Sequence, residues 1–371
     1  MNDTIFKAAK IAEKELGGRI YLVGGAVRDH LLGKDSHDLD FVVIGRDYTE
    51  YAAHIAKQLR SHPIPFKDNI RVPYRGAYID ISAPRGDTIE DDLAKRDFTV
   101  NNLAMTLDGK IIGDRGDLDR GLIVPVYDRV FDDDPVRILR GFRQAASLGF
   151  LLSAEFIRLA EINMALLRTV AGERICEELR KLSLSEYATQ ELYEKADSMG
   201  LWREITSDKV DTGLIYAAHS VDTDDSGRFI IFIASMLYTA SNPRAVLERL
   251  RVSKPVERGV LELLRNVDSF AADGDLQKAV WINRKGFVLL LDFIKIVRKP
   301  DESFIQNCGA IYRQIREYTG EYVTGGDITA LAPDKPVGRW IADTIDKCNF
   351  MLTFGLAKDK AEALSQAQRA L

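Results

Sequence analysis

The stretch YLVGGAVRDHLLGKDSHDLDFVVI, residues 21–44, restricts this chain more than any other. Residues 20–23 read as a buried strand, and Gly24 and Gly25 follow with no side chain to keep a phosphate away from backbone N–H groups. A helix starts there. Asp38 and Asp40 then stand at i and i+2 just before the apolar run 41–44, so on a strand both carboxylates point to one face. The unit reads as βαβ-like, with a phosphate cradle at one end and paired acids at the other. Two carboxylates on one face repel, so a compensating cation is expected; two-metal phosphoryl-transfer sites hold ions roughly 3.5–4 Å apart with such groups. A solvated acidic turn is the commoner explanation of a bare DxD. The preceding Gly-Gly and Arg28 favour the chemical reading, because they add a triphosphate site at the distance the chemistry needs.

At 371 residues the chain suits two to four modules, and its 46% hydrophobic and 29% charged content is that of a soluble globular protein. No segment approaches the roughly 20 apolar residues of a membrane span. Residues 1–18 read as an amphipathic helix with acidic residues, unlike a signal peptide, so a cytoplasmic location is expected. Cys176, Cys308 and Cys348 lack metal-ligand spacing and read as free thiols. The five histidines are scattered, and His37, beside Asp38, reads as a turn residue rather than a base. A net charge of -5 argues against indiscriminate nucleic-acid binding, yet it allows positive charge to gather on one face.

Downstream, residues 47–59 show Tyr51, Ile55 and Leu59 at helical spacing, and strands are expected at 70–73 and 77–82. Asp80 lies in the second of these, facing opposite to Ile79 and Ile81. In EDDLAKRDFTVNNLAM, residues 90–105, Lys95 and Arg96 supply charge for phosphates, Asp97 can accept from a ribose hydroxyl, and Asn101 can donate and accept. A charged helix entry is the plainer account. Residues 132–150 open a helix with Asp134 as N-cap and Pro135 at N1. Arg137, Arg140 and Arg143 share one broad stripe, while Ile138, Leu139 and Phe142 would pack. A carboxylate and an arginine one turn apart can imitate a complementary base, the acid accepting from an exocyclic amine and the guanidinium donating to ring acceptors. In GERICEELRKL, residues 172–182, Ile175, Leu179 and Leu182 form a packing face. Helical patterns then run almost to the end. The stretch HSVDTDDS at 219–226 superficially suggests a phosphohydrolase site but reads as a polar loop before an apolar helix at 229–237.

Together these segments resemble the bacterial class II tRNA nucleotidyltransferase and poly(A) polymerase family, a branch of the polymerase-beta-like nucleotidyltransferases. Residues 21–44 resemble its motif A, RDFTVN its motif B with Lys95 replacing the first Arg, and Asp133-Asp134-Pro135-Val136-Arg137 its nucleotide-selecting motif with Asp133 where Glu is commoner. GERICEEL resembles the ERIxxEL scaffold, and TGGDI, with Ile328 for Leu, the tail motif.

The resemblance implies an α+β chain: a nucleotidyltransferase head with a mixed sheet at 1–126, then an all-α neck at 127–185, body at 186–265 and tRNA-binding tail at 266–371. It implies that Asp38 and Asp40 hold Mg2+ and are catalytic, with Asp80 as general base or metal ligand. Gly24, Gly25, Arg28, Arg96, Asp97, Asn101, Asp134, Arg137, Arg140 and Arg143 would bind the nucleotide. The substrates implied are the tRNA 3' end and CTP, with ATP as a second candidate. Only Gly86, Asp87, Thr88 and Ile89 separate Arg85 from Glu90, where CCA-adding members carry a much longer loop, so CC addition is expected. Full CCA addition, A-only or poly(A) addition, and a non-catalytic RNA-binding relative are the alternatives. The oligomeric state is left open.

Overall fold

The computed structural model describes residues 3–36, 38–66, 68–270 and 276–369; His37 lies outside them. Two compact units are present, one made of residues 1–219 and 239–252, the other of 220–238 and 253–371. The head and neck segments expected from the sequence fall in the first unit and the tail in the second, and the body segment contributes to both.

The first unit begins with α1 (Asp3–Leu16), which buries Ile5, Ala8, Ala9 and Ala12 along one face. There follow β1 (Arg19–Val23), α2 (Gly25–Leu31), β2 (Asp38–Ile44), α3 (Tyr48–Leu59), β3 (Ile64–Phe66), β4 (Asn69–Tyr74) and β5 (Ala77–Ser82). Tyr51, Ile55 and Leu59 are buried on α3 as their spacing demands. With β6 (Ala104–Met105) and β7 (Ile111–Ile112), these strands form one mixed sheet ordered β3-β4-β5-β2-β1-β6-β7. The sequence reading missed β3, β6 and β7, which are two or three residues long and too short to show a period.

The βαβ-like expectation needs one correction: β1 and β2 pair antiparallel. The seven residues of α2 rise only about 10 Å, too little to return the chain along β1 for a parallel pass. The parallel partner of β2 is β5.

Beyond the sheet come α4 (Ile89–Ala94), α5 (Gly116–Arg120), α6 (Val130–Asp133), α7 (Val136–Leu148), α8 (Ala154–Asn163) and α9 (Gly172–Ser183). Ile138, Leu139 and Phe142 are buried on α7, as are Ile175, Leu179 and Leu182 on α9, and the two helices pack together. Phe156 of α8 lies among Phe98, Phe131 and Phe142 at centroid distances of 5.9, 5.2 and 5.8 Å. Gly141 makes this possible, since a Cβ there would lie 2.1 Å from the Phe156 ring. Asp134 is not a side-chain cap. Pro135 is the N-cap of α7, and Asp134 has extended backbone that directs its carboxylate to Arg174 instead.

The second unit is helical. Asp225–Leu237 starts at Asp224, whose side chain accepts from the Gly227 N–H, so the polar loop expected at 219–226 is a helix entry. His219, in the first unit, meets the Tyr193 hydroxyl at 2.5 Å. In the tail motif Thr324 caps Gly325–Leu331 and Asp327 completes a reciprocal capping box. Val323, Ile328, Cys348, Met351 and Leu352 form the core around it. Lys360–Gln368 is the last of the described helices. Among the described residues all three cysteines are free, and no helix is long and apolar enough to cross a membrane.

Candidate active site

On β2 the burial alternates, with Leu39 and Phe41 inside and Asp38 and Asp40 outside, so both acids share a face as the i, i+2 spacing requires. Asp40 is paired in register with Val23 on β1, one residue before Gly24, and with Asp80 on β5. Among the described residues neither Asp38 nor Asp40 has a salt bridge or a side-chain hydrogen bond. Asp40 is exposed at its outer edge, yet desolvation of its carboxyl, then the Asp80 and Asp38 charges, push it up to about 6 against the pull of Arg96 and Arg71.

Asp80 differs. Arg71 of β4 donates from Nε to Oδ1 at 2.8 Å and from Nη2 to Oδ2 at 2.7 Å, a bidentate pair. A hard cation suits what is left: two unpaired carboxylate donors, with no cluster of three metal-type ligands among the described residues. Mg2+ commonly takes one or two carboxylates and completes its shell with water and substrate phosphate.

The cradle begins where β1 ends. Gly24 has φ 67°, ψ -133°, a conformation open to glycine almost alone, and a Cβ there would lie 2.7 Å from Arg96 Nη1. Arg96 is held by the buried Asp92 at 2.7 Å. Arg28 donates from Nη1 to Asn101 Oδ1 at 2.7 Å; the Asn101 amide donates to Asp97 at 2.9 Å and to Gln144 at 3.1 Å. Arg140 closes this chain onto the other Asp97 oxygen at 3.2 Å. Burial would raise the Asp97 carboxyl, but the Arg140 charge and the donors from Asn101 and Phe98 hold it below the usual carboxylate range. Asp97 and Asn101 are thus committed to positioning the arginines around the cradle.

At the opposite end, Arg137 Nε lies 3.9 Å from Asp134 Oδ2, which accepts from Arg174 Nη2 at 2.7 Å. The other Asp134 oxygen is buried and unpartnered. Arg137 also donates to the Tyr127 hydroxyl at 2.9 Å, and that hydroxyl donates to Asp133 at 2.9 Å. Glu178, buried, takes Arg140 on one oxygen and Arg143 on the other, each at 3.0 Å.

The cradle with Arg28 and Arg96, the Asp97–Asn101 pair, Asp134 with Arg137 and Arg174, and the Glu178-held arginines line one cavity of about 480 Å³, in which eight cationic side chains face three acidic ones. In a chain of net charge -5 this is the concentration of positive charge that a polyphosphate requires.

Against known proteins, the poly A polymerase head domain matches residues 20–85. A CC-adding tRNA nucleotidyltransferase of Halalkalibacterium halodurans is 33% identical over 198 residues, 50% of this chain and 51% of that protein. An A-adding tRNA nucleotidyltransferase of Aquifex aeolicus is 34% identical over 201 residues, 47% of this chain and 24% of that protein. This chain spans about half the length of the CC-adding relatives it matches. A solved CCA-adding enzyme with CTP superimposes with TM-score 0.78 at 20% identity, covering 99% of this chain and 94% of that one. The Thermotoga maritima CCA-adding enzyme complexed with tRNA gives 0.72 at 20%, covering 99% and 95%.

The chain is similar to the class II tRNA nucleotidyltransferases and poly(A) polymerases, whose head domain matches residues 20–85, and it shares the fold of the CCA-adding enzymes.

Within this family's fold, the ten residues singled out for nucleotide binding all line the one cavity, and Asp38, Asp40 and Asp80 lie on the adjoining sheet face. The cavity adds Arg85, Gln144, Arg174, Glu178 and Lys181. Glu178 was legible only as helix scaffold, which agrees with its grip on two arginines. Arg71 went unnoticed, although a signal exists. The two-residue turn Arg75-Gly76 pairs Tyr74 with Ala77, and that register brings Arg71 opposite Asp80.

The short connection after β5 is closely tied. Asp91 Oδ2 accepts from the N–H groups of Asp87 and Thr88, at 3.2 and 3.0 Å, and from the Thr88 hydroxyl at 2.7 Å. Arg85 N–H donates to Asp92 at 3.1 Å.

Proposed function

We propose that this chain is a template-independent nucleotidyltransferase that extends the tRNA 3' end from CTP, adding two cytidines. One observation carries the reading: a single cationic cavity joins the Gly24-Gly25 cradle to the Asp134–Arg137 pair, with unpaired Asp38 and Asp40 beside the cradle. The cradle, Arg28 and Arg96 hold the triphosphate, and Arg140 and Arg143, clamped by Glu178, add charge to the same wall. Asp134, on the cavity wall, offers its carboxylate to the exocyclic amine of the base, and Arg137 donates to the ring acceptors. The RNA 3' hydroxyl attacks the α-phosphate in line and pyrophosphate leaves. Mg2+ held by Asp38 and Asp40 would lower the pKa of that hydroxyl and neutralise the departing pyrophosphate. Asp80, engaged by Arg71, acts through charge and placement beside Asp40. Residues 186–371 are assigned to holding the tRNA body, as the tail resemblance implies.

Support for CC addition comes from the short connection 83–88, which is pinned by Asp91 and Asp92 with Arg85 on the cavity wall and has no length left for a separate mobile loop. The CC-adding name carried by several relatives agrees. The test takes tRNAs that lack the terminus, carry its first C, or carry both Cs, each incubated with CTP or ATP alone in Mg2+. Extension of the first two by CTP, with the third inert, is expected. Efficient ATP addition to the third assigns A or CCA addition instead, and no incorporation into any of them would leave a non-catalytic RNA-binding protein.

A further inference from the structure

We infer that Tyr127 is a positioning residue for nucleotide choice: its hydroxyl takes one end of the Arg137 guanidinium and leaves the Nε–Nη2 edge, beside Asp134, for the incoming base. This rests on Asp134 and Arg137 reading the base and adds the group that aims them.

The hydroxyl is a fixed anchor. Tyr127 lies in the connection that precedes α6, and the backbone on both sides of it is tied: Val126 N–H donates to the Asp97 carbonyl at 3.1 Å, and the Tyr127 carbonyl accepts from Val130 N–H at 3.2 Å. Its bonding is directed as well. A guanidinium only donates and a carboxylate only accepts, so a phenol 2.9 Å from both Arg137 Nη1 and an Asp133 oxygen turns its proton to the acid and its lone pair to the arginine. Burial raises the pKa of the Tyr127 hydroxyl above its usual value, so the proton stays on at neutral pH.

One side of the guanidinium is left over. Nη1 is engaged by Tyr127 and by the Val130 carbonyl at 3.4 Å, and Nη2 turns one hydrogen to the Lys95 carbonyl at 3.4 Å. Nε–H and the second Nη2–H remain, parallel on one edge of the planar group. Nε lies 3.9 Å from Asp134 Oδ2, close enough to set the acid beside that edge and too far to be consumed by it. Carboxylate, Nε–H and Nη2–H therefore form a row of one acceptor and two donors. The pairing edge of cytosine is the complement, an amine followed by the N3 and O2 acceptors, whereas adenine follows its amine with N1 and a C–H. Released from Tyr127, the guanidinium can present Nη1 and Nη2 instead, and the row with Asp134 is lost.

Tyr127→Phe removes the hydroxyl and keeps the ring. The measurement compares kcat/KM for CTP and for 3-deaza-CTP, which carries a C–H in place of the ring N3, on a tRNA lacking its terminus in Mg2+. Wild type should prefer CTP by about tenfold, the scale of a lost bidentate base contact. In Tyr127→Phe that preference should fall to about threefold or less, as the edge is no longer held. Its kcat/KM for CTP should drop while the acceptor KM holds, which also shows that the variant is folded. Asp133→Ala, a change at an exposed side chain, removes the acceptor that directs the hydroxyl proton and should shift the preference the same way by a smaller factor. A wild-type preference that persists undiminished in Tyr127→Phe overturns the inference and spares base reading by Arg137; should Tyr127→Phe not fold, an undiminished preference in Asp133→Ala does the same. Equal use of the two nucleotides by wild type overturns base reading by Arg137 and the inference with it. Incorporation of neither overturns the transferase reading beneath both.

Discussion

Asp40 and Asp80 stand opposite each other across the parallel β2–β5 ladder, and of the two only Asp80 has an arginine partner. A third carboxylate beside Asp38 and Asp40 would repel both. Arg71 offsets part of that repulsion at Asp80, whose charge still raises the Asp40 carboxyl, and leaves the other two acids for a cation.

The unpaired state of Asp40 makes stability depend on pH. Its pKa in the folded protein is about 6, above the ordinary 3.8, so the folded state favours the protonated form. The stabilisation this confers is fully present below 3.8, is lost as pH rises through 6, and leaves a net penalty above that. Asp40→Asn should therefore raise the metal-free protein's stability at pH 8 by about 1 kcal/mol, a figure discounted for the exposed edge of the residue. This is roughly 2–4 °C in Tm, and the gain should shrink towards pH 4. Mg2+ should raise the Tm of wild type more than that of the variant. Thermal unfolding with EDTA and with Mg2+ measures both, and a variant that is less stable at pH 8 contradicts the account.

Asp134→Ala removes the acceptor for the base's exocyclic amine. It should reduce discrimination between CTP and ATP by about tenfold, in line with 1–3 kcal/mol for a good pair, more than it lowers turnover with the better nucleotide. Arg174→Met should act in the same direction but less, because Arg174 only orients the Asp134 carboxylate. Single-nucleotide incorporation kinetics decide, and an equal loss for both nucleotides argues against base reading.

Glu178→Ala should cost about 3 kcal/mol of stability by leaving guanidinium charge without its buried partner. Arg143 suffers most, since Arg140 keeps Asp97. The CTP KM should rise while the acceptor KM holds. Urea unfolding and initial rates check the two halves separately.

Gly24→Ala forces a Cβ to 2.7 Å from Arg96 Nη1 in a backbone conformation that disfavours alanine. The strain is about 1–3 kcal/mol, and kcat/KM for CTP should fall at least about tenfold as Arg96 is displaced. A variant with wild-type kcat/KM would show that the cradle does not hold the triphosphate.

Much of the site was legible because its rules are local. Alternation with period two put Asp38 and Asp40 on one face, and a three-residue step put Asp134 and Arg137 within reach at the start of α7. The failure was local as well, where a competing partner was invisible: Asp134 gave up capping for Arg174.

The sequence by itself determined the cradle, the acid pair, the arginine stripe and the α+β order of the chain, all properties of residues a few positions apart. Tertiary structure decided that β2 runs antiparallel to β1 and parallel to β5, that Arg71 pairs with Asp80, and that residues from 24 to 181 share one cavity. These outcomes depend on which strands become neighbours and in what register. That choice is made by burying the apolar faces of β2 and α3 against each other and those of α7 and α9 against each other, and no short window of sequence contains it.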